Sequence, residues 1–162
     1  MQSNEAIHGV TLDFQNPNEL TEAAVRLILT EIHDEEQSAP VVKAEDVTAY
    51  INATDTAQDV HYGLVNTDGA LVAAARVDHT KSDGTMIDAF AVAPQHRGQH
   101  LGRRLMHLIA IEAAKHHQTN LEAGALAPGF FARLGFTPIH ANTIMMRADT
   151  ADVIRRTEPT NP

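Results

Sequence analysis

The chain has 162 residues, 43% of them hydrophobic, which is enough for one compact domain with a buried core. It contains no cysteine, which excludes disulfide bonds, a thiolate nucleophile and cysteine-based metal sites. The net charge of −9 argues against a nucleic-acid-binding protein that relies on a broad basic surface.

The first residues of the chain do not predict a signal peptide. The first ten residues lack the basic and apolar regions of a secretory signal. No apolar run approaches the roughly 18 residues that a membrane helix needs. The sequence therefore predicts a soluble cytoplasmic protein with no membrane partner.

The first half of the chain predicts a strand, two helices and three further strands. Val10, Leu12 and Phe14 alternate with polar residues, which is typical of a half-buried strand. The predicted elements are a strand over residues 8–15, a helix beginning at residue 17, a helix over about 43–53, and strands over 60–66, 70–79 and 86–92. Short turns join the last three strands, one of them with Asp68-Gly69, and this predicts an antiparallel meander.

The second half alternates helices with strands. The predicted elements are a helix over residues 98–117, a strand over 119–125, a short helix that ends at Gly135, and a strand over 142–148. Residues 149–162 are expected to form a frayed tail. The chain therefore reads as one α+β domain over residues 1–148.

Charge is distributed unevenly along the chain. Residues 1–85 contain 15 acidic and 4 basic residues, a net charge of −11, whereas residues 86–162 carry a net charge of +2. A polyanionic ligand is therefore expected to bind the second half.

The segment "AVAPQHRGQHLGRRLM", residues 91–106, joins a strand to a helix through a basic, glycine-containing turn. Pro94 stops strand pairing, and the first N–H groups of the following helix have no partner within the helix. These donors and the nearby arginines favour an anion site, although a plain strand–turn–helix junction with solvated arginines is the alternative. The glycine spacing fits neither an ATP-binding nor a dinucleotide-binding loop.

These residues resemble the GNAT superfamily of acetyl-CoA-dependent N-acetyltransferases. The family's phosphate loop, [QR]-x-x-G-x-[GA], corresponds to Arg97–Gly102, which follows Val92-Ala93-Pro94. "FFARLGF", residues 130–136, is similar to the family's later F-Y-x-x-L-G-F element. The resemblance covers roughly residues 8–148 and implies a mixed, mostly antiparallel sheet flanked by about four helices.

The resemblance also implies a cofactor site for acetyl-CoA as cosubstrate. The strand residues Phe90, Ala91 and Val92 would offer backbone groups to the pantetheine arm and the thioester carbonyl. The residues expected to bind the cofactor phosphates are Arg97, Gly98, Gln99, His100, Leu101 and Gly102, with help from Arg103 or Arg104.

Asp88 is the candidate catalytic residue. It is the one ionisable residue within the predicted strand over 86–92, four residues before Val92, where many relatives carry an acidic residue or a histidine. Acting through water, Asp88 would take the proton of the acceptor ammonium group. The alternatives are that it binds the cation of the acceptor or pairs with an arginine.

Three positions depart from the family pattern. Phe131 stands where the family often has a tyrosine that protonates the departing thiolate, and Gly124 stands where an asparagine is common. His100 replaces the first glycine of the phosphate loop. These departures weaken the assignment of the catalytic groups and leave the fold prediction unchanged.

The remaining features concern metals and the acceptor. Histidines 96, 100, 107, 116 and 117 lack metal-ligand spacing, so no metal is predicted. The first interpretation of the acidic run from Glu31 to Glu36 is a set of solvent-exposed charges in a loop. In the family, however, this region borders the acceptor, which suggests a cationic amine.

The sequence therefore predicts direct transfer of an acetyl group from acetyl-CoA to a primary amine of a small molecule or a peptide. Transfer through a serine or histidine acyl carrier is the alternative to direct transfer. One alternative is an acyl-CoA-binding module with little or no catalysis. Another is a scaffold without a cofactor. The resemblance also allows a homodimer.

Overall fold

The computed structural model describes residues 6–35, 41–124, 128–141 and 143–159. Within these residues there are seven strands and five α-helices. In chain order they are β1 His8–Thr11, α1 Glu19–Glu35, α2 Ala44–Ala53, β2 Asp59–Val65, β3 Leu71–Asp78, β4 Thr85–Val92, α3 Leu101–Lys115, β5 Asn120–Gly124, α4 Pro128–Arg133, β6 Thr137–Pro138, β7 Met145–Asp149 and α5 Thr150–Thr157. A 3-10 turn, Pro94–His96, lies between β4 and α3. No helix among the described residues is long and apolar enough to cross a membrane.

The strands form one mixed sheet in the order β1-β2-β3-β4-β5-β7-β6. Neighbouring strands pair antiparallel except β4 and β5, which are parallel. The predicted meander is confirmed as β2–β3–β4, and the predicted α+β fold with a mostly antiparallel sheet is confirmed as well. The described part of the chain has five helices instead of about four, and the short strand β6 was not predicted.

Helices cover both faces of this sheet. On one face, Ala24 and Ile28 of α1 belong to a buried cluster with Ala74 of β3. On the other face, α3 packs its apolar stripe, which includes Leu105 and Ile109, against the sheet and α5. The centre of the sheet is therefore enclosed by two layers of helices.

The expectation of a frayed tail from residue 149 is wrong for residues 150–157, which form α5. The Asp149 side chain caps this helix by accepting a hydrogen bond of 3.0 Å from the N–H of Asp152. Val153 is fully buried, and His107 Nδ1 of α3 lies 2.9 Å from Thr157 Oγ1. Packing against α3 therefore orders a segment with few apolar residues.

Strand β1 is also shorter than the predicted strand over 8–15. The Asp13 carboxylate accepts hydrogen bonds from the N–H groups of Gln15 and Asn16 at 3.0 and 2.9 Å. This local turn takes the chain out of the sheet before α1. Residue 142, the predicted start of the last strand, lies outside the described residues.

Two buried histidines are held in polar networks within the fold. His61 Nε2 lies 2.9 Å from the Tyr50 hydroxyl. His79 Nε2 lies 2.8 Å from the Tyr62 hydroxyl, and its Nδ1 lies 2.7 Å from Thr85 Oγ1. Burial lowers the pKa of both His61 and His79 to about 4, with a further contribution from the Arg76 charge at His61 and the His116 charge at His79.

These histidines are expected to make the fold acid-sensitive. The unfolded chain binds their protons near pH 6.5, whereas the native protein does not bind them until about pH 4. The free energy of unfolding should therefore fall as the pH drops from 6.5 to 4, by at most about 3 kcal/mol for each histidine. Denaturant unfolding at pH 7 and pH 4.5 measures this loss. His79→Gln should reduce it, and the exposed His8→Gln should not; equal losses in both variants would contradict the assignment.

Candidate active site

The site opens where β4 separates from β5. Their parallel pairing covers Thr85–Ile87 of β4 opposite Leu121–Ala123 of β5. Beyond it β4 continues to Val92, and a cavity of about 880 Å³ lies beside it. The cavity is lined by Ile28, Glu31, residues 87–92, His96, Arg97, Gly98, residues 100–103, Ala123, Gly124, Phe130, Phe131, Arg133, Leu134 and Arg156.

The cavity-facing edge of β4 carries backbone groups that point away from β3. The N–H of Ala93 donates to the Val72 carbonyl of β3 at 2.9 Å. Because alternate residues of a strand direct their backbone groups to opposite sides, Phe90 and Val92 direct theirs away from β3. This edge can therefore bind a ligand by backbone hydrogen bonds.

Asp88 occupies a β-bulge in the same strand. Arg76 of β3 lies opposite Ala89 and Val77 lies opposite Ile87, so Asp88 is the extra residue between the two pairs. The bulge places Asp88 in the cavity wall, where its side chain reaches solvent but is partly enclosed by the surrounding cleft.

The carboxyl group of Asp88 has no hydrogen-bond or ion-pair partner within the described part of the chain. Arg76 is the nearby cation, and it pairs with Asp59 at 3.0 Å instead. Partial burial in the cleft raises the pKa of Asp88, against the opposing effect of the Arg76 charge. A carboxylate with a raised pKa and no resident partner is suited to exchange protons with a ligand.

The segment before α3 forms the anion loop, which we define as residues 97–102. Gly98 has φ +83° and His100 has φ +60°, so two left-handed residues turn the chain into the helix. The conformation of His100 costs about 1 kcal/mol relative to glycine. No side chain caps α3, which leaves the first N–H groups of the helix for a ligand.

The structure brings most of the predicted cofactor-binding residues to one cavity. Nine line the cavity: Phe90, Ala91, Val92, Arg97, Gly98, His100, Leu101, Gly102 and Arg103. Gln99 does not line it, and neither does Arg104, whose guanidinium donates to the Ile7 carbonyl at 2.8 Å. Arg103, which does line the cavity, also donates to the Glu158 carbonyl at 3.0 Å.

An aromatic cluster lines the cavity next to Gly102 of the anion loop. The rings of Phe90, Phe130 and Phe131 have centroids 5.3–6.1 Å apart. Gly102 allows this packing, because a Cβ atom there would lie 3.0 Å from the Phe130 ring. Phe131 lines the cavity with no hydroxyl group, so it cannot donate a proton there.

An ion pair joins two residues that line the cavity. Arg97 of the anion loop donates to the Glu31 carboxylate of α1 at 3.1 Å, and both residues line the cavity. Arg97 is therefore paired with a carboxylate of another element. Glu31 and Asp88 give the cavity two carboxylates.

Sequence reasoning missed Arg133 and Arg156, which also line the cavity. Arg133 belongs to the "FFARLGF" element, at one of the two positions that the F-Y-x-x-L-G-F pattern leaves unspecified. Arg156 lies in the segment predicted to fray. The cap formed by Asp149 and followed by Asp152 was the signal that could have revealed α5.

The described residues contain no cluster of three or more histidine or acidic side chains that could hold a metal ion. His116 stacks on His79, with ring centroids 4.3 Å apart. His107 contacts Thr157. These two histidines therefore have partners within the protein.

Comparison with known proteins identifies the family. The family model of the acetyltransferase (GNAT) domain matches residues 58–138, half of the chain, including the anion loop and Phe131. No curated protein matches the sequence.

Solved structures share the fold. A GNAT-family acetyltransferase from Staphylococcus aureus Mu50 is 12% identical with a TM-score of 0.68, and the match covers 90% of this chain and 99% of that one. The PaiA N-acetyltransferase from Thermoplasma acidophilum, solved in complex with coenzyme A, is 10% identical with a TM-score of 0.61 over 89% and 99% of the two chains. Tetrahymena GCN5 is 14% identical with a TM-score of 0.61 over 82% and 87%. At these identities the likeness shows the fold alone, and the fold agrees with the family match. The chain therefore belongs to the GNAT acetyltransferase superfamily.

Proposed function

We propose that this protein is an N-acetyltransferase that transfers an acetyl group from acetyl-CoA directly to a primary amine of a cationic acceptor. One observation carries the proposal. The cavity where β4 parts from β5 has the uncapped N-terminus of α3 in one wall and the Asp88 bulge in another.

The residues present fit acetyl-CoA. The uncapped N–H groups of α3, together with Arg97 and Arg103, suit a pyrophosphate. Phe90 and Phe130 offer an apolar wall to the pantetheine arm, and β4 offers backbone groups beside it. The volume of about 880 Å³ lies within the range of ligand pockets.

The thioester supplies an acetyl carbon that the acceptor amine attacks, and the CoA thiolate leaves. The backbone N–H groups of Phe90 and Val92 are directed away from β3, and we assign one of them to the acetyl carbonyl oxygen. A fixed N–H donor stabilises the negative charge that develops on this oxygen.

Asp88 acts as the base. Primary amines are protonated near neutral pH, and only the neutral form attacks. The unpartnered carboxylate of Asp88 takes the ammonium proton through a water molecule in the cavity. Since Phe131 has no proton to donate, the leaving thiolate is protonated by water from the open cleft.

Two carboxylates support a cationic acceptor. Glu31 of α1 and Asp88 of β4 both line the cavity. Glu31 belongs to the acidic first half of the chain, and Asp88 lies just after the boundary between the halves. An acceptor with a second positive charge pairs with one of them while the other takes the proton. The substrate class is therefore a diamine or an amine that carries another cation.

Release of free thiol tests the proposal against its main alternative, an acyl-CoA-binding module, which Phe131 favours. Because the protein has no cysteine, a thiol reagent detects only CoA. We expect thiol release when acetyl-CoA and a panel of diamines and monoamines are supplied. Binding of acetyl-CoA without release for any amine would favour the binding module, and failure to bind any CoA ester would favour a scaffold.

Replacement of Glu31 by Gln is expected to have opposite effects on the two substrates. It frees Arg97 for the cofactor, so the Kd for CoA should fall by about two- to fivefold. This factor corresponds to the free energy that one exposed ion pair contributes. It also removes a carboxylate from the acceptor side, so KM for a diamine should rise. Calorimetry with CoA and initial rates with a diamine measure the two effects.

Glu22→Gln provides the matched control for Glu31→Gln. It removes the same charge from the exposed side of the same helix, away from the cavity. Equal effects of the two substitutions on CoA binding would show that only net charge matters and that the Glu31–Arg97 pair does not compete with the cofactor.

A further inference from the structure

We infer that Arg156 of α5, together with Arg133 of α4, forms a second phosphate subsite, which binds the phosphate monoester on the ribose of CoA. This inference rests on the proposed function and deepens it. It gives α5 a role in recognising the cofactor, separate from that of the anion loop.

The packing of α5 places Arg156 beside the start of α3. Val153 is fully buried against α3, and Thr157 lies 2.9 Å from His107. The guanidinium of Arg103, in the first turn of α3, donates to the carbonyl of Glu158 at 3.0 Å. The last turn of α5 is thereby held next to the anion loop, and Arg156 lies within that turn and lines the cavity.

The guanidinium of Arg156 is oriented by its own helix. Its Nε donates to the Asp152 carboxylate at 2.9 Å, four residues earlier. This contact leaves the two terminal nitrogens for a ligand, and an arginine fork matches two oxygens of a phosphate. Gly135 provides the space, because a Cβ atom there would lie 3.1 Å from Arg156 Nε.

Arg133 supplies a second cation. It lines the same cavity and makes no hydrogen bond or ion pair within the described ranges of the chain. A pyrophosphate occupies the anion loop in the proposed function, which leaves the phosphate monoester of CoA, with its three oxygens, to be bound elsewhere. Arg133 and Arg156 are the lining arginines outside the first turn of α3 and its loop.

Comparison of CoA with dephospho-CoA, which lacks only this monoester, tests the inference. We expect the wild-type protein to bind CoA at least about tenfold more tightly, as for a charge-assisted bidentate contact. Arg156→Ala should bring the ratio of the two Kd values to within about twofold of one. Calorimetric titration of each variant with both ligands gives the ratio, which is independent of the fraction of folded protein.

Arg155→Ala is the matched control. Arg155 carries the same charge on the same helix and also pairs with Asp152, but it does not line the cavity. Its ratio should equal that of the wild type. Three outcomes would overturn the subsite while leaving the proposed function intact. They are an unchanged Kd ratio in Arg156→Ala, an equal fall of the Kd ratio in both variants, and equal affinities of the wild type for CoA and dephospho-CoA. Failure of the wild type to bind either ligand would overturn both.

Discussion

Replacement of Asp88 by Asn is expected to lower kcat by about 10²- to 10⁴-fold, the usual contribution of a general base. Asparagine has the same size and cannot take a proton from the acceptor. Because Asp88 has no described ion-pair partner, the fold and the affinity for CoA should change little. Initial rates at saturating acetyl-CoA, with calorimetric binding of CoA, measure both quantities.

The pH dependence separates a base from a charge that only binds the acceptor. Burial raises the pKa of Asp88, so the unprotonated, active form is lost when the pH falls through a value above that of an ordinary aspartate. The acid limb of the rate profile in the wild type should disappear in Asp88→Asn. A raised KM with unchanged kcat would instead assign Asp88 to acceptor binding. Asp68→Asn, an equivalent change in an exposed turn, is the control.

Features set by short stretches of chain could be predicted from the sequence. Pro94 and the glycines that follow mark the end of β4 and the turn into α3, and the structure has both. Asp68-Gly69 marks the hairpin between β2 and β3, where Gly69 has φ +82°. The signals in these cases are backbone preferences of glycine and proline, which act within a few residues.

Features that depend on a distant partner could not be predicted. The bulge at Asp88 exists only because β4 and β3 change register there. The Glu31–Arg97 pair joins residues 66 apart in sequence. For helix α5 the Asp149 cap is the one local sign; the helix has few apolar residues, and its order comes from Val153 packing on α3. In each case the tertiary contact supplies the energy, and the local sequence carries little sign of it.

Replacement of Gly102 by Glu is expected to weaken CoA binding by at least about 10²-fold without unfolding the protein. A carboxylate in the first turn of α3 repels the pyrophosphate at short range. The same carboxylate favours the helix itself, since it lies at the positive end of the dipole and replaces a glycine. The new Cβ atom would lie 3.0 Å from the far end of the Phe130 ring, which can move by the few tenths of an ångström required. Thermal unfolding with and without CoA therefore separates binding from folding.

Two further substitutions divide the effect of Gly102→Glu between size and charge. Gly102→Ala adds the Cβ atom alone and should retain most of the stabilisation by CoA, because bound ligand raises the stability of the native state by mass action. Gly129→Glu adds the same charge at an exposed glycine that does not line the cavity, and it should behave as the wild type. If Gly102→Glu is still stabilised by CoA, the N-terminus of α3 is not where the pyrophosphate binds. If Gly102→Ala loses CoA binding as completely as Gly102→Glu, the pyrophosphate requires close contact with the backbone at residue 102. The electrostatic explanation of the anion loop would then be wrong.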